Sequence, residues 1–240
     1  MVRTSYVERA PTPALAGRVR AVWQMRVPDD ASHTQRVLPD GCADVLWWDG
    51  ELSVAGPDTA YRMVDMAPGT TVTAIRFRTG AAGVLFGDIP VSEARDDQPP
   101  LAGLWGDQAA RELTERLADA ASPADVLETA VAARLSQVDE VDPVVVRAVS
   151  MFDTPAPPSV SGLADRFGLS ERQFRRRFVH AVGYGPSTLV GVLRLERAMR
   201  LFDTPERTAD VATVAGYADQ PHMTRELRKL AGVTPGRLRR

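Results

Sequence analysis

Two groups of hydrogen-bond donors lie in the last third of this 240-residue chain, each at helical spacing. Their members are Arg172, Arg175 and Arg176 in the first group, and Gln220, His222, Thr224, Arg225 and Arg228 in the second. Successive residues of an α-helix turn by about 100°, so Phe174 and Phe178 lie opposite the three arginines of the first group. Arginine donates two parallel hydrogen bonds to guanine O6 and N7, and it also binds phosphate. The pattern predicts a nucleic-acid surface on helices whose other face is anchored in a core.

These donors belong to an internal repeat. Residues 163–168 (LADRFG) match residues 211–216 (VATVAG) at an offset of 48, and later positions match at an offset of 49. The later pairs are Phe174 with Met223, Phe178 with Leu227, Gly183 with Gly232, and Pro186 with Pro235. Each copy has the pattern of a short helix, a turn, a second helix and a Gly-x-x-Pro stop. The repeat therefore predicts two helix-turn-helix units.

The turn of each copy contains the residue types that such a turn needs. Gly168 and Gly216 stand where the first helix must end, and glycine adopts the left-handed conformation that closes a helix. Ser170 and Asp219 follow with side-chain oxygens that can cap the second helix. Gln173 stands three residues after Ser170, which is the spacing of a capping box.

A single helix is predicted between the two copies, over Pro186–Phe202. Its packed positions are Leu189, Val192, Leu193, Ala198 and Leu201. A helix of this length spans about 25 Å. It is suited to hold two recognition helices about 34 Å apart, which is one turn of DNA.

The net charge of −2 conceals an uneven distribution along the chain. Residues 1–143 carry 13 arginines and 22 acidic residues, a net charge of −9. Residues 144–240 carry 16 basic and 9 acidic residues, a net charge of +7. An asymmetry of this size is typical of an acidic domain joined to a domain that contacts a polyanion.

The first part of the chain has the pattern of short β-strands. Residues 43–48 and Glu51–Ala55 flank Asp49-Gly50, a dipeptide that favours a type I′ hairpin turn. Residues 71–78 alternate in polarity, which predicts a strand with one buried face. We therefore expect a mainly-β domain, either a small barrel or a sandwich.

Helical spacing replaces the strand pattern after residue 100. Residues 107–120 and 124–135 are predicted to be amphipathic helices, and Pro143–Phe152 a third helix capped by Asp142. The predicted fold class is α+β, with an N-terminal mainly-β domain, a helical connector and a C-terminal all-α domain of two helix-turn-helix units. We place a β-rich sensor or regulatory domain at residues 1–106, the helical connector at 107–140 and the DNA-binding domain at 141–240. The connector helices are candidates for dimerisation or for packing between the two domains.

Residues 143–240 resemble the AraC family of bacterial transcription regulators. The resemblance rests on the first unit (SGLADRFGLSERQFRRRFVHAVGYGP), on Arg194-Leu195-x-x-Ala198, and on the second unit (ADVATVAGYADQPHMTRELRKLAGVTP). It implies sequence-specific binding of promoter DNA, with base contacts from the second helix of each unit. By position, the base-contacting residues would be Arg172, Arg175, Arg176, Gln220, His222 and Arg225.

The first half of the chain resembles, less specifically, an uncharacterised N-terminal domain of some members of this family. The shared segments are residues 36–44 (RVLPDGCAD), 54–57 (VAGP) and 76–78 (RFR). The resemblance assigns no ligand. From the residues themselves, the candidate ligand-binding positions are Trp23, Arg36, Asp40, Cys42, Asp44, Trp47 and Arg76.

Three of these candidates leave alternatives open. Arg76 is either exposed or paired with an acid such as Asp40 or Asp44. Cys42 is either a small buried hydrophobic residue or an exposed reactive thiol. Trp47 and Trp48 are neighbours in a predicted strand and point to opposite faces, so at most one of them lies inside a given cavity.

The composition argues against several other classes of protein. A single cysteine excludes an internal disulfide and a multi-cysteine metal site, and it fits a reducing compartment. The three histidines, His33, His180 and His222, lack metal-ligand spacing, and no nucleophile elbow or phosphate-binding glycine-rich loop is present. No stretch is apolar enough to span a bilayer, and the N-terminus lacks a secretory signal. We expect a cytoplasmic protein that is not an enzyme, with no cofactor, no metal and no membrane partner.

The sequence thus predicts a bacterial transcription regulator that binds double-stranded promoter DNA and is controlled by a ligand or partner at its N-terminal domain. A small-molecule effector, RNA polymerase and a second copy of the chain are the further candidate partners. One alternative is a cysteine-dependent sensor or enzyme domain fused to a DNA-binding domain. Another is an interaction module whose first half binds only protein.

Overall fold

In the computed structural model, which describes residues 4–138, 140–203 and 207–238, seven strands form two antiparallel sheets. The strands are β1 (Ser5–Arg9), β2 (Val19–Arg26), β3 (His33–Val37), β4 (Asp44–Trp48), β5 (Glu51–Ala55), β6 (Arg62–Met66) and β7 (Thr71–Phe77). Five of them form one sheet in the order β1-β2-β7-β4-β5, and β3 pairs with β6 in the other. The β4–β5 hairpin turns at Asp49 and Gly50, which both have positive φ. A type I′ turn requires this, so the predicted hairpin is confirmed.

The central strand β7 is buried on both of its faces. Ile75 and Phe77 lie in the core that the helices cover. Val72 and Ala74 are buried on the opposite face, in a separate cluster. The prediction of a single buried face for residues 71–78 is therefore wrong. The strand lies in the middle of a sheet with cover on both sides, so alternation in polarity does not report exposure there.

Eleven α-helices follow β7 within the described ranges. They are α1 (Gly83–Phe86), α2 (Ala102–Trp105), α3 (Asp107–Ala118), α4 (Pro123–Leu135), α5 (Pro143–Phe152), α6 (Val160–Arg166), α7 (Glu171–Val182), α8 (Pro186–Phe202), α9 (Thr208–Ala215), α10 (Gln220–Ala231) and α11 (Pro235–Leu238). A short 3₁₀-helix lies at Val91–Ala94. Among these described segments, none is long and apolar enough to cross a membrane.

Helices α3 and α4 complete the core of the five-stranded sheet. Leu113 and Leu117 of α3, and Leu127 and Val131 of α4, lie in the same cluster as the buried residues of β2, β4, β5 and β7. The two helices predicted in this region are confirmed, although α3 ends at Ala118. Their apolar faces are covered by the sheet, which leaves only their outer faces for contacts with another domain or copy. The domain boundaries after residues 106 and 140 stay a prediction.

Helix α8 is shared between two small helical cores. Its first half packs with α5, α6 and α7, and its second half packs with α9 and α10. Each core thus contains one helix-turn-helix pair, α6–α7 or α9–α10. The predicted repeat and the predicted linker helix are both confirmed.

The turn chemistry of both units is the predicted one. The Ser170 hydroxyl accepts a hydrogen bond from the backbone N–H of Gln173 at 3.3 Å, and the Gln173 side-chain oxygen accepts the N–H of Ser170 at 3.0 Å. In the second unit, Asp219 accepts the backbone N–H of His222 at 2.6 Å. Gly168 and Gly216 have φ values of 66° and 92°, in the left-handed region. These bonds fix where α7 and α10 begin, and therefore which residues each helix exposes.

The C-terminal helices rest on the loop that joins β5 to β6. Gly183 ends α7 and lies so close to Pro57 that a Cβ would overlap the proline ring. Gly232 ends α10 and lies against Tyr61, where a Cβ would overlap the aromatic ring. Residues 56–61, here called the docking loop, therefore contact equivalent ends of the two repeated helices.

Candidate nucleic-acid interface

Helix α7 separates its arginines from its aromatic residues. Arg172, Arg175 and Arg176 are exposed, whereas Phe174 and Phe178 are fully buried. The buried rings belong to a cluster of phenylalanines whose centroids lie 5.8 to 6.5 Å apart. Aromatic packing of this kind fixes the rotation of the helix about its axis. The three predicted arginines are consequently held together on one exposed face.

Arg175 is paired along the helix in the free protein. Its Nε donates to Glu171 Oε1 at 2.7 Å, and both side chains are nearly half exposed. An exposed pair of this spacing contributes about 0.3 to 0.5 kcal/mol. The pair therefore orients the guanidinium and can readily be exchanged for a hydrogen bond to another acceptor.

Arg177, the fourth arginine of the run, has a different role. It donates through Nε and NH2 to the two carboxylate oxygens of Asp142, both at 2.8 Å. Asp142 also caps α5 by accepting the N–H of Val144 at 2.9 Å. Burial opposes the charge on Asp142, but the hydrogen bonds and charge of Arg177 outweigh it and lower the pKa of the carboxyl. Arg177 thus fixes α7 to the start of α5.

Helix α10 presents the second predicted group. Gln220, Arg225 and Arg228 are exposed, while Met223 and Leu227 are fully buried. A shallow depression of about 450 Å³ is lined by Gln220, Pro221, Thr224, Arg225 and Arg228. Its polar lining consists mainly of side chains that can donate hydrogen bonds.

Two of the predicted residues of α10 are partly engaged within the protein. The Nδ1 atom of His222 accepts the N–H of Ala218 at 3.2 Å, and its ring meets Tyr217 edge-on at 5.5 Å. In the neutral ring this bond places the proton on Nε2, which is then a donor. The Thr224 hydroxyl donates to the carbonyl of Gln220 at 3.0 Å. Among the predicted residues of this helix, Arg225 and Arg228 are the exposed charged donors.

A cavity lies between the two sheets. Its volume is about 590 Å³, it opens to solvent, and it is lined from β2, β4 and β7 on one side and from β3 and β6 on the other. The apolar part of its wall includes Trp23, Met25, Leu46, Trp48, Val64, Met66 and Val72. The charged part of its wall is Arg36, Asp40, Asp44, Arg62 and Arg76. The composition suits a small organic molecule with an apolar body and a polar group.

Five of the seven predicted ligand-binding residues meet at this cavity. They are Trp23, Arg36, Asp40, Asp44 and Arg76. Trp47 lies outside it and packs against the helix-covered core, whereas Trp48 lines the cavity. Cys42 also lies outside the lining. Tyr6, Arg62 and Met66 also line the cavity but were not predicted, because the pairing of strands that are distant in sequence is not visible in local patterns. For Trp47 and Trp48, strand alternation predicted only that the two side chains point to opposite faces.

Arg76 is paired rather than exposed. Asp44 accepts hydrogen bonds from Arg76 Nε at 3.1 Å and NH2 at 3.0 Å, and from Trp23 Nε1 at 3.0 Å. Asp40 lies 3.4 Å from Arg76 NH1. Burial raises the pKa of Asp44, and the charge and hydrogen bonds of Arg76 offset this rise only in part. Both acids at this end of the cavity therefore already have a cationic partner.

Cys42 is a small buried residue and not an exposed thiol. The residue is 6% exposed, and its backbone N–H donates to Asp40 Oδ1 at 2.9 Å. Burial raises the pKa of the thiol well above its usual value, and the charges of Asp40 and Asp44 add to the effect. Within the residues that the structure describes, no group of three or more His, Cys, Asp or Glu side chains could hold a metal ion.

Two families match separate parts of the chain. Residues 163–240 match the family described as "Helix-turn-helix domain", and residues 7–100 match the family described as "Domain of unknown function (DUF6597)". None of the curated protein sequences is a significant match.

Several solved structures are similar to the chain. A transcriptional regulator with an AraC-type DNA-binding domain from Chromobacterium violaceum is 30% identical, over 40% of this chain and 89% of that one, with a TM-score of 0.38. The DNA-binding domain of AdpA in complex with a target DNA is 28% identical, over 40% of this chain and 86% of that one, with a TM-score of 0.36. ToxT from Vibrio cholerae is 11% identical, over 92% of this chain and 97% of that one, with a TM-score of 0.48.

Proposed function

We propose a function for this chain, which belongs to the AraC family of DNA-binding transcription regulators. In this proposal the chain contacts promoter bases through α7 and α10. A ligand in the cavity between its sheets changes that binding. The observation that carries the proposal is the matched construction of the two helices. Each begins at a capped turn, buries one apolar face and exposes arginines on the other. A helix with these properties can enter the major groove and present donors to base edges.

The base contacts that we propose come from six residues. They are Arg172, Arg175 and Arg176 of α7, and Gln220, His222 and Arg225 of α10. Thr224 and Arg228 flank the second set and contact the DNA beside them. Helix α8, about 25 Å long, separates the two units so that they can reach successive major grooves on one side of the duplex.

Control by the N-terminal part is the second element of the proposal. The cavity combines an apolar wall with charged groups, and the docking loop contacts the ends of both α7 and α10. A ligand that alters this contact would change how the two helices are presented to DNA. We place this activity in the cytoplasm, with RNA polymerase and a second copy of the chain as further candidate partners.

The two alternative functions are less well supported. A cysteine-dependent sensor or enzyme needs an accessible thiolate, and Cys42 is buried with a raised pKa. A module that binds only protein would not need an open cavity with five charged residues in its wall.

The experiment selects bound sequences from a random DNA library and then measures the affinity of variants for them. We expect Arg175→Ala and Arg225→Ala each to weaken binding to the selected sequence by about 1 to 3 kcal/mol, and to relax the preference at one base position. Arg116→Ala removes an exposed arginine of α3 and is the control that should leave binding unchanged. Equal weakening of the variants on selected and scrambled DNA would show that these arginines contact phosphate and not bases.

A further inference from the structure

The charged side chains that point into the cavity are already paired. Arg76 NH2 lies 3.0 Å from Asp44 Oδ2, and Arg76 NH1 lies 3.4 Å from Asp40 Oδ2. Arg62 Nε lies 2.9 Å from Asp58 Oδ1. A charged ligand would therefore have to displace an existing partner to obtain a counter-charge from the described wall.

Arg36 lies in strand β3 of the wall, but its side chain belongs to the other face of the two-stranded sheet. Its register partner is Met63, which is 50% exposed and lies outside the lining of the cavity. Successive side chains of a strand point to opposite faces, and register partners share a face. The Arg36 guanidinium accordingly contacts the carbonyl oxygen of Ala231 at 2.9 Å and the Tyr61 ring at 4.7 Å. It does not alter the balance of charge inside the cavity.

The polar and apolar parts of the wall lie at opposite ends of the five-stranded sheet. At one end, Arg76 of β7 is the register partner of Asp44. At the other end, Val72 of β7 is the register partner of Trp48 and of Met25. Four residues along a strand span about 13 Å. The cavity, of about 590 Å³, can thus hold a small molecule that has an apolar body and a polar group at one end.

We propose that the cavity binds an uncharged molecule with an apolar body of one or two rings and a single hydroxyl or amide group. The body lies against Trp23, Trp48 and Met66. The neutral group lies at Arg76 and Asp40, whose separation of 3.4 Å is longer than that of a good hydrogen bond. A hydroxyl both donates and accepts, so it can bond to the carboxylate and to the guanidinium and leave their charges paired.

The cost of desolvation decides between the ligand classes. A carboxylate or an ammonium group loses its hydration in an apolar cavity, and a wall whose charges are paired does not replace it. A hydroxyl loses much less hydration, and its two hydrogen bonds offset that loss. The apolar body contributes equally in all three cases, so the uncharged ligand binds most tightly.

Occupation of the cavity has a consequence for α10 that rests on the proposed function. In the described chain, β3 and β6 pair with each other and not with the five-stranded sheet. One face of this small sheet lines the cavity, and its other face carries Arg36, which bonds to the last residue of α10. A ligand that displaces the small sheet therefore changes the contact with α10 without touching the Arg36 guanidinium.

Dye binding to the full chain at pH 8 tests the ligand class. The dye is N-phenyl-1-naphthylamine, which is uncharged and fluoresces in apolar surroundings. Three compounds with the same apolar body then compete with it: 1-naphthaleneethanol, 1-naphthaleneacetate and 2-(1-naphthyl)ethylamine. The alcohol should displace the dye at a concentration about 10-fold or more below those of the acetate and the amine, because only the alcohol enters without a charge.

Substitutions at neighbouring positions of β6 locate the site. Val64→Trp places a bulky ring inside the cavity and should abolish dye binding. Met63→Trp places the same ring on the outer face of the small sheet and should leave dye binding unchanged. Trp48→Leu removes one aromatic wall and should weaken dye binding about 3- to 10-fold, which gives a second measurement if Val64→Trp does not fold.

The outcomes separate this inference from the proposed function. The inference is wrong if the dye does not bind, if the acetate or the amine competes as well as the alcohol, or if Val64→Trp and Trp48→Leu bind the dye as the wild type does. In the coupling test, 1-naphthaleneethanol should change the affinity of the wild type for the selected DNA. Arg36→Gln should bind the alcohol equally well but lose this change, and a change as large as that of the wild type would refute the route through the small sheet. An alcohol that binds in the cavity with no effect on DNA affinity would instead overturn ligand control in the proposed function and support the ligand class.

Discussion

Replacing Gly232 by alanine should destabilise the protein more than the same replacement at Gly168. Both glycines end a helix with similar left-handed backbones, at φ of 69° and 66°. A Cβ at Gly168 would meet no atom within 4 Å, whereas a Cβ at Gly232 would overlap the ring of Tyr61. The two variants therefore share the backbone penalty and differ in one contact, which joins α10 to the docking loop.

The magnitude follows from the two contributions. A non-glycine residue in the left-handed region costs about 1 to 2 kcal/mol, and this cost applies to both variants. Overlap with a packed side chain adds about 1 to 3 kcal/mol, and this applies to Gly232→Ala alone. We expect a total loss of about 1 to 2 kcal/mol for Gly168→Ala and about 2 to 5 kcal/mol for Gly232→Ala.

Urea unfolding of four proteins measures the difference. They are Gly232→Ala, Tyr61→Ala, the double variant and Gly168→Ala, each compared with the wild type at pH 7. Removal of the Tyr61 ring should reduce the cost of Gly232→Ala to that of Gly168→Ala, and the double-mutant cycle gives the coupling directly.

Two results would refute this reasoning. Equal losses for Gly232→Ala and Gly168→Ala would mean that Tyr61 does not press on the end of α10. A cost of Gly232→Ala that is the same with and without the Tyr61 ring would assign the excess to another contact.

Two further predictions concern Asp142 and Cys42. Because the pKa of Asp142 in the folded protein lies below its usual value of about 3.9, the ion pair with Arg177 should stabilise the protein fully above about pH 4 and lose this effect in more acidic solution. Asp142→Asn keeps the cap but removes the charge, so it should lower the free energy of unfolding in urea by about 1 kcal/mol at pH 7 and by little at pH 2. Equal stability of the variant and the wild type at pH 7 would contradict this prediction. Iodoacetamide at pH 8 should modify Cys42 about tenfold more slowly in the native protein than in urea, because the thiol is buried. The Cys42→Ser variant should bind the selected DNA as tightly as the wild type does. Fast labelling of the native protein would contradict the buried thiol.

Features confined to one short segment were predictable from the sequence. The capping box joins residues three apart, and Gly168 and Gly216 close helices only a few residues long. The exposed and buried faces of α7 and α10 follow from the helical period alone. The DNA-binding candidates were therefore predicted with their exposure largely correct, because each helix had to bury its own apolar stripe.

Features that join distant segments were not predictable in the same way. Strand alternation could not show that β7 is covered on both faces, since its cover comes from α3 and α4 on one side and from the β3–β6 side on the other. Cys42 and Trp47 were predicted to bind a ligand but lie outside the cavity, because their positions depend on which sheet face each segment of the chain meets. Tyr6 and Arg62 were missed for the same reason.

The sequence by itself determined the two helix-turn-helix units, their linker helix and the charge that divides the chain, because periodicity, caps and turn glycines act over a few residues. Only the tertiary structure decided the partners of the arginines. Arg177 meets a carboxylate 35 residues away, and Arg36 meets a carbonyl 195 residues away. Such pairs depend on how the sheets and helices dock, which no local pattern specifies, and they distinguish the arginines that hold the fold together from those that we propose to contact DNA.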